Sequence, residues 1–230
     1  MAITLYELVG RDAARPFSPH CWKVRMALRH KGLDFQCATA GFTEIPGLEG
    51  GYSKIVPILK DGETLVADSF AIAEYLEDTY PDRPSLFGGE GGRALSRFVE
   101  SWSQRTIHPA LARLAVLDIH DILGEADQAY FRESREKAFG ATLEAFVADR
   151  AERVAPFLKT LEPLRAIVGR QPFLCGESPL FADYIVFGAF QWARVSSPFQ
   201  FLPQDDPVAL WFERCLALHE GEGAKVPAAA

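Results

Sequence analysis

The chain has 230 residues, of which 48% are hydrophobic and 24% charged, as in a globular protein that buries a sizeable core. Its net charge of -7 argues against nucleic acid or an anionic membrane as the main partner, so any anion site has to be local. The sequence shows no signal peptide and no apolar run of about 20 residues. Its four cysteines are widely spaced, and neither they nor the five histidines show metal-ligand spacing. We therefore expect a cytoplasmic protein that holds no metal.

The first third of the chain predicts alternating strands and helices. In chain order, the predicted elements are a strand at 3–8, a helix at 18–31, a strand at 34–38, a hairpin over 55–66 and a helix at 70–80. Ser18 suits the N-cap of the first helix, and Gly32 suits the position just after its end. This βαβ order followed by ββα is typical of the thioredoxin-like fold.

Proline and glycine between 81 and 92 predict a linker, and the residues after it predict helices only. The expected helices cover 93–122 with a kink at Pro109, then 128–162 with one or two helices, 180–195 and 207–219. The apolar 180–195 segment should be buried, and the tail from 221 should be frayed. We thus expect an α/β thioredoxin-like domain over 1–83 and an all-α helical domain over 93–230.

Ser18-Pro19-His20-Cys21 has the spacing of a Cys-Pro-His-Cys redox motif whose leading thiol is replaced by a hydroxyl. One interpretation is an N-cap only. The other is a hydrogen-bond donor to the thiolate of a bound thiol, because the site follows the first strand and lies at a helix N-terminus.

Two further pairs of residues belong to the same argument. Val56-Pro57 opens a strand that faces this site. Pro57 is either an ordinary edge-strand proline or part of a cis peptide, which would turn the backbone of Val56 toward a peptide-like ligand. Asp68 and Ser69 begin the next helix, where they either cap it or bind the two charged groups of an amino acid.

These motifs, in this order and spacing, closely resemble the glutathione S-transferase superfamily. The resemblance covers roughly residues 3–220 and includes Phe181-Ala182-Asp183, which is similar to the family's folding motif. Weaker tracts, among them 80–84, 117–121 and 134–136, look most like the bacterial β-etherase and fungal etherase-like groups. The resemblance implies glutathione as co-substrate and a homodimer.

The resemblance also implies roles for individual residues. Ser18 would hold the glutathione thiolate, Val56 before a cis Pro57 would pair with the cysteinyl backbone, and Asp68 with Ser69 would hold the γ-glutamyl end. Lys54 would meet the glycyl carboxylate. The etherase-like reaction would be attack of the thiolate on a carbon that bears an aryloxy group, with expulsion of a phenol.

The pocket for the hydrophobic aromatic substrate is predicted less directly. Phe17, Trp102 and Ile107 are candidates if the first helix of the second domain faces the glutathione site, although aromatic residues on such a helix are more often core. His20 and His108 could protonate a leaving phenolate, but a single histidine is more often structural.

Three functions stay open at this point: glutathione transfer to an aromatic electrophile, thiol-disulfide exchange through Cys21, and a non-catalytic carrier of apolar ligands. A free cysteine such as Cys21 is more often a small buried hydrophobic residue than a reactive thiol. The sequence also departs from the family's folding motif, because Leu180 stands where a capping Ser, Thr or Asn is usual. Ser178, two residues earlier, could substitute with altered geometry.

Overall fold

The structure is a computed structural model and describes residues 2–230. A four-stranded mixed sheet forms its first part, with the strands β1 (Ile3–Leu8), β2 (Phe35–Ala40), β3 (Ile58–Asp61) and β4 (Thr64–Ala67) in the order β2-β1-β3-β4. β2 runs parallel to β1, while β3 and β4 add as an antiparallel hairpin. The predicted thioredoxin-like arrangement is confirmed.

Helices α1 (Pro19–His30) and α2 (Ser69–Thr79) pack with this sheet, and a 3-10 helix spans Ile45–Gly50. The apolar residues of α1 recur at helical spacing, and its central residues are fully buried. Gly32 follows the helix with φ of +62°, the left-handed conformation that glycine adopts without steric cost. The predicted boundaries of α1 and α2 hold to within one or two residues.

The rest of the chain is helical. Its helices are α3 (Glu90–Trp102), α4 (His108–Asp121), α5 (Glu125–Phe139), α6 (Leu143–Val147), α7 (Arg150–Thr160), α8 (Glu162–Val168), α9 (Phe181–Ser196) and α10 (Pro207–Gly221). The segment 128–162, expected to hold at least one helix and up to two, contains most of α5 together with α6 and α7. None of the helices in the described residues is long and apolar enough to cross a membrane.

Near Pro109, where the sequence predicted a kink, the structure has a π-helical turn, Ser103–Ile107, that joins α3 to α4 and ends two residues before the proline. Proline has no N–H, so Pro109 cannot donate to the carbonyl one turn earlier. A π turn accommodates such a gap without breaking the helical path, and π turns are frequent at functional sites.

Helix α9 is the core of the helical part and contacts α1 more extensively than any other helix. The two helices approach closely at Gly188, where a Cβ would lie 2.3 Å from the carbonyl oxygen of Pro19. Pro19 follows Ser18 directly, so α9 fixes the N-terminal end of α1.

The start of α9 corrects the expectation for its cap. Leu180 is the N-cap residue and has no capping side chain; no hydrogen bond from Ser178 replaces it among the described residues. Asp183, fully buried, accepts hydrogen bonds from the backbone N–H of Leu180 (3.1 Å) and Leu174 (2.8 Å) and from Nε1 of Trp211 (3.0 Å). Burial raises the pKa of Asp183 to about 6, against the lowering effect of these donors.

The tail after 221 is ordered against the protein, which corrects the prediction of a frayed end. Glu222 is 2% exposed and forms ion pairs with Arg25 (2.8 Å) and Arg29 (3.1 Å) of α1. The backbone N–H of Ala229 donates to the carbonyl oxygen of Arg194 in α9. The C-terminal segment therefore ties α9 to the first part of the chain.

Candidate active site

A cavity of about 540 Å³ lies between the sheet part and the helical part. The first part contributes polar residues to its wall: Ser18, His20, Lys54, Asp68 and Ser69. The helical part contributes mainly apolar side chains from α4 and α5 together with Trp192 of α9. A cavity lined by both polar groups and apolar surfaces suits a ligand pair of the same character.

Ser18 lies at the N-terminus of α1 and is 4% exposed. Its Oγ accepts a hydrogen bond from the backbone N–H of Cys21 at 3.3 Å, so the predicted N-cap is confirmed. Because Oγ is the acceptor in that bond, the hydroxyl proton stays available for a ligand in the cavity. Capping and thiolate binding are thus compatible at this one side chain.

Cys21 is fully buried and is absent from the cavity wall. Its Sγ lies 3.8 Å from the backbone carbonyl oxygen of Tyr6. Burial raises the pKa of the Cys21 thiol to about 12, with the nearby Glu7 carboxylate adding to the effect. A buried, protonated thiol is a poor nucleophile, so the structure argues against disulfide exchange through Cys21.

The Val56-Pro57 peptide bond is cis, as the sequence had suggested. Both residues line the cavity, and Val56 is 7% exposed. Lys54 lines the same wall and is exposed.

Asp68 is the N-cap of α2, and its Oδ1 accepts hydrogen bonds from the backbone N–H of Phe70 (2.9 Å) and Ala71 (3.0 Å). The φ of Asp68 is +78°, a backbone conformation that costs free energy in any residue with a side chain and is found mostly at functional sites. Asp68 and the buried Ser69 both face the cavity. The capping interpretation is confirmed, and Oδ2 of Asp68 accepts no hydrogen bond from the described residues.

His20 and His108 stack across the cavity wall, with ring centroids 5.4 Å apart and planes 10° apart. Burial lowers the pKa of His108 to about 4 and takes the pKa of His20 well below its usual value, and the cation of Lys23 adds to both effects. Both rings are therefore neutral at pH 7 and hold no acidic proton for a leaving phenolate.

His108 has a defined tautomer. Its Nδ1 lies 3.1 Å from the carbonyl oxygen of Ser103 in the π turn, so Nδ1 carries the proton and donates it. Nε2 is buried and has no partner among the described residues. This nitrogen is a free hydrogen-bond acceptor in a side chain that lines the cavity.

Of the three residues predicted to bind the aromatic substrate, the structure places one in the cavity wall. Phe17 lines the cavity. Ile107 is fully buried in the core, Trp102 is half-buried, and neither contributes to the cavity wall. From the π turn and the start of α4, the cavity wall instead receives Gln104 and His108.

The sequence interpretation missed an aromatic cluster, which we define as Phe17, Phe42, Tyr130 and Phe131. Phe42 is its centre, with ring centroids 5.5 Å from Phe131, 6.0 Å from Tyr130 and 6.3 Å from Phe17. Three side chains of α5 that build this region, Asp127, Phe131 and Arg135, recur every four residues and so lie on one helix face. That spacing was the signal in the sequence.

Asp127 connects the two parts of the chain beside the cluster. It is 8% exposed and accepts hydrogen bonds from the backbone N–H of Phe42 (3.0 Å) and Thr43 (2.8 Å) and from the hydroxyl of Thr43 (2.8 Å). The loop that carries Phe42 is therefore anchored to α5.

No group of three or more histidine, cysteine, aspartate or glutamate side chains in residues 2–230 is placed to hold a metal ion. The wall of the cavity instead offers hydroxyl and backbone donors, one carboxylate and aromatic surfaces. It can bind a polar, peptide-like ligand next to an aromatic one.

A thioredoxin-like sheet part, a helical part and a cavity between them define the class of fold, and comparisons with known proteins agree. Residues 17–79 match the family model for the glutathione S-transferase N-terminal domain, and residues 94–202 match a model for its C-terminal domain. Together the two models span most of the chain. The chain belongs to the glutathione S-transferase superfamily.

Individual relatives are distant. The chain is 32% identical to glutathione S-transferase 1 of Dianthus caryophyllus over 140 residues, which span 58% of this chain and 63% of that protein. Among solved structures it is similar to glutathione transferase GSTFuA3 of Phanerochaete chrysosporium, with 25% identity, a TM-score of 0.77, and coverage of 100% of this chain and 99% of the other. A glutathione S-transferase of Ceriporiopsis subvermispora, solved in complex with glutathione, has 22% identity, a TM-score of 0.85 and full coverage of both chains, a likeness of fold.

Proposed function

We propose that the protein is a glutathione transferase in which Ser18 holds the glutathione thiolate for attack on a hydrophobic aromatic electrophile. The observation that carries the proposal is the position of the Ser18 hydroxyl, which lies at a helix N-terminus in the wall of a cavity that also contains the aromatic cluster. Membership of the superfamily and the glutathione complex of a structural neighbour support it.

The expected effect of Ser18 on the thiol follows from general magnitudes. A free thiol has a pKa of about 8.5, and a hydrogen bond to a charged group contributes roughly 1.5–3 kcal/mol. That free energy corresponds to a lowering of the thiol pKa by about one to two units. The partial positive charge at the N-terminus of α1 acts in the same direction. A bound glutathione would then be substantially ionised at neutral pH.

The remaining glutathione contacts follow from the polar residues of the wall. The backbone of Val56 would pair with the cysteinyl residue, and Ser69 with the N-terminus of α2 would receive the γ-glutamyl carboxylate. Asp68 would face the ammonium group through its free oxygen, Oδ2, and Lys54 would meet the glycyl carboxylate.

For the electrophile we propose an aryl substrate, with β-aryl ethers as the first class to test. The glutathione sulfur would form a bond to the carbon that bears the aryloxy group, the carbon–oxygen bond would break, and the electron pair would leave with the phenolate. The aromatic cluster supports an aryl group in the cavity, since aromatic rings there can stack on the substrate. Nε2 of the neutral His108 ring would accept a hydrogen bond from a hydroxyl group on the substrate and would not supply a proton to the leaving phenolate.

We further propose a homodimer, formed by α3. Leu95 and Phe98 lie three residues apart on this helix and are 40% and 68% exposed. Two exposed apolar side chains on one helix face support an interface with a second copy of the chain.

The proposal is tested by incubating the protein with glutathione and a panel of β-aryl ethers and activated haloarenes. Mass spectrometry should detect the glutathione thioether together with the released phenol or halide. A carrier of apolar ligands, the remaining alternative, would bind the same compounds and form no thioether. Absence of thioether across the panel, with binding retained, would establish the carrier and refute the transferase.

A further inference from the structure

Arg135 places a cation in the wall of the cavity without a counter-ion. It projects from α5, lines the cavity, and lies in no ion pair with any carboxylate in residues 2–230. The one hydrogen bond of its side chain within residues 2–230 runs from Nη1 to the hydroxyl of Ser134 at 3.2 Å. Arg132, one turn earlier on the same helix, shows the contrast: it pairs with Glu136 at 2.9 Å and Glu144 at 2.8 Å.

The surroundings of Arg135 are apolar. Its guanidinium carbon lies 4.8 Å from the ring centroid of Phe131 and 5.9 Å from that of Phe42, both in the aromatic cluster. Burial lowers the pKa of Arg135 from its usual value, in keeping with a partly desolvated cation, and the guanidinium still carries its charge at pH 7. A charge removed from water without a partner is unfavourable, and an anion that enters the cavity would relieve that cost.

The second cationic side chain in the cavity wall, Lys54, does not lie beside Arg135 in the aromatic cluster. Lys54 is exposed and belongs to the polar wall, where the proposed function assigns it to glutathione. Asp127, on the same face of α5, is occupied by the loop at 42–43. Arg135 is therefore the group beside the aromatic cluster that is free to bind an anion.

We propose that the aromatic substrate of this protein carries a carboxylate, which Arg135 binds while the aryl ring lies on the aromatic cluster. The planar guanidinium can bind a carboxylate through two parallel N–H···O bonds. The Phe131 ring, on which the guanidinium packs, fixes the orientation of these donors. The inference rests on the proposed function and makes it more specific: the substrate is an aryl acid, and Arg135 selects it.

The experiment compares a chlorodinitrobenzoate, with its carboxylate para to the chlorine, and the corresponding carboxamide. In both compounds the glutathione sulfur forms a bond to the ring carbon and chloride leaves with its electron pair. The ratio of the two kcat/KM values, each divided by the uncatalysed rate, should favour the carboxylate in the wild type. Arg135→Gln should lower this ratio by about 10- to 100-fold, the range expected for a hydrogen bond to a charged group.

Two variants separate recognition from packing. Arg135→Lys keeps the charge and loses the planar fork, so its ratio should lie between those of the wild type and Arg135→Gln. Arg170→Gln removes an exposed arginine outside the cavity and should leave the ratio unchanged. If Arg135 only packs on Phe42 and Phe131, its variants will slow both substrates equally, and an unchanged ratio overturns the proposal.

A binding measurement keeps this inference distinct from the transferase reaction itself. Titration calorimetry without glutathione should show tighter binding of the benzoate than of the carboxamide, and Arg135→Gln should abolish the difference. If thioether forms and neither ratio nor binding depends on Arg135, the substrate inference fails and the transferase stands. If no thioether forms while binding still depends on Arg135, the transferase fails and the anion site stands.

Discussion

Replacement of Ser18 by alanine removes two interactions that can be measured separately. The first is the cap of α1, because Oγ accepts the backbone N–H of Cys21 at 3.3 Å. Loss of a serine N-cap costs about 1 kcal/mol of stability. The second is the proposed hydrogen bond to the glutathione sulfur, which affects the bound thiol and not the fold.

The second loss has a calculable effect. A hydrogen bond to a thiolate of roughly 1.5–3 kcal/mol lowers the thiol pKa by about one to two units, so Ser18→Ala should return it toward about 8.5. A thiol is the nucleophile only when it is deprotonated, hence activity rises with pH through its pKa. At a pH about half a unit below 7, the variant should hold about 10- to 50-fold less thiolate than the wild type, and kcat should fall in proportion.

The assay is a pH titration of the protein saturated with glutathione, followed by the ultraviolet absorption of the thiolate, together with kcat against pH. Both midpoints should move upward in Ser18→Ala, and Ser18→Thr, which keeps the hydroxyl, should restore them. Thr142→Ala is the matched control: it deletes the cap of α6, where Thr142 Oγ1 accepts the N–H of Ala145 at 3.2 Å, outside the cavity wall. It should lose stability without moving either midpoint. Midpoints that stay in place in Ser18→Ala would show that the hydroxyl is a cap and nothing more.

Three further outcomes follow from the packing and charge of single residues. Gly188→Ala places a Cβ 2.3 Å from the carbonyl oxygen of Pro19 and should destabilise the protein by about 1–3 kcal/mol in urea unfolding; wild-type stability would mean that α9 and α1 can separate at no cost. Burial lowers the pKa of His108 from 6.5 to about 4, so the unfolded chain binds a proton in that window that the folded chain does not, and wild-type stability should fall as pH drops through it. Over the same pH window, the free energy of unfolding of His108→Gln should fall by up to about 3 kcal/mol less than that of the wild type. Equal pH dependence in the two proteins would contradict the lowered pKa of His108. Phe98→Glu should convert the proposed dimer to a monomer in light scattering, whereas a wild type that is already monomeric at micromolar concentration would refute the dimer.

Local patterns in the sequence predicted the elements that local interactions determine. β1 was predicted with its observed limits, since its β-branched and aromatic residues stand directly before a turn region. Ser18 and Asp68 were predicted as caps because a capping side chain bonds to a backbone N–H only two or three residues away. The fold class followed from the order of these elements, and the domain limits at 1–83 and 93–230 stay a prediction.

The wrong or missed predictions concern features that depend on contacts between residues far apart in the sequence. Glu222 is held by Arg25 and Arg29, almost two hundred residues earlier in the chain, so the tail looked frayed in the sequence although it is anchored in the fold. Trp102 and Ile107 were chosen on the condition that the first helix of the second domain faces the glutathione site, but the residues of this region that line the cavity are Gln104 and His108. Arg135 is an ordinary surface arginine in the sequence; only its place in the cavity wall, without a carboxylate partner among the described residues, distinguishes it.

The anchor formed by Asp127 has a consequence for how specificity can be altered in this chain. The hydrogen bond from Phe42 to Asp127 joins residues that are 85 positions apart in the sequence. The loop at 41–43 and α5 nevertheless contribute to the same wall of the cavity. A chimera that receives α5 from a relative without the matching loop would leave Asp127 or its backbone donors unsatisfied, and a buried carboxylate without donors is costly. The loop and α5 therefore have to change together, and a library that diversifies both segments will retain more folded members than one that diversifies either alone.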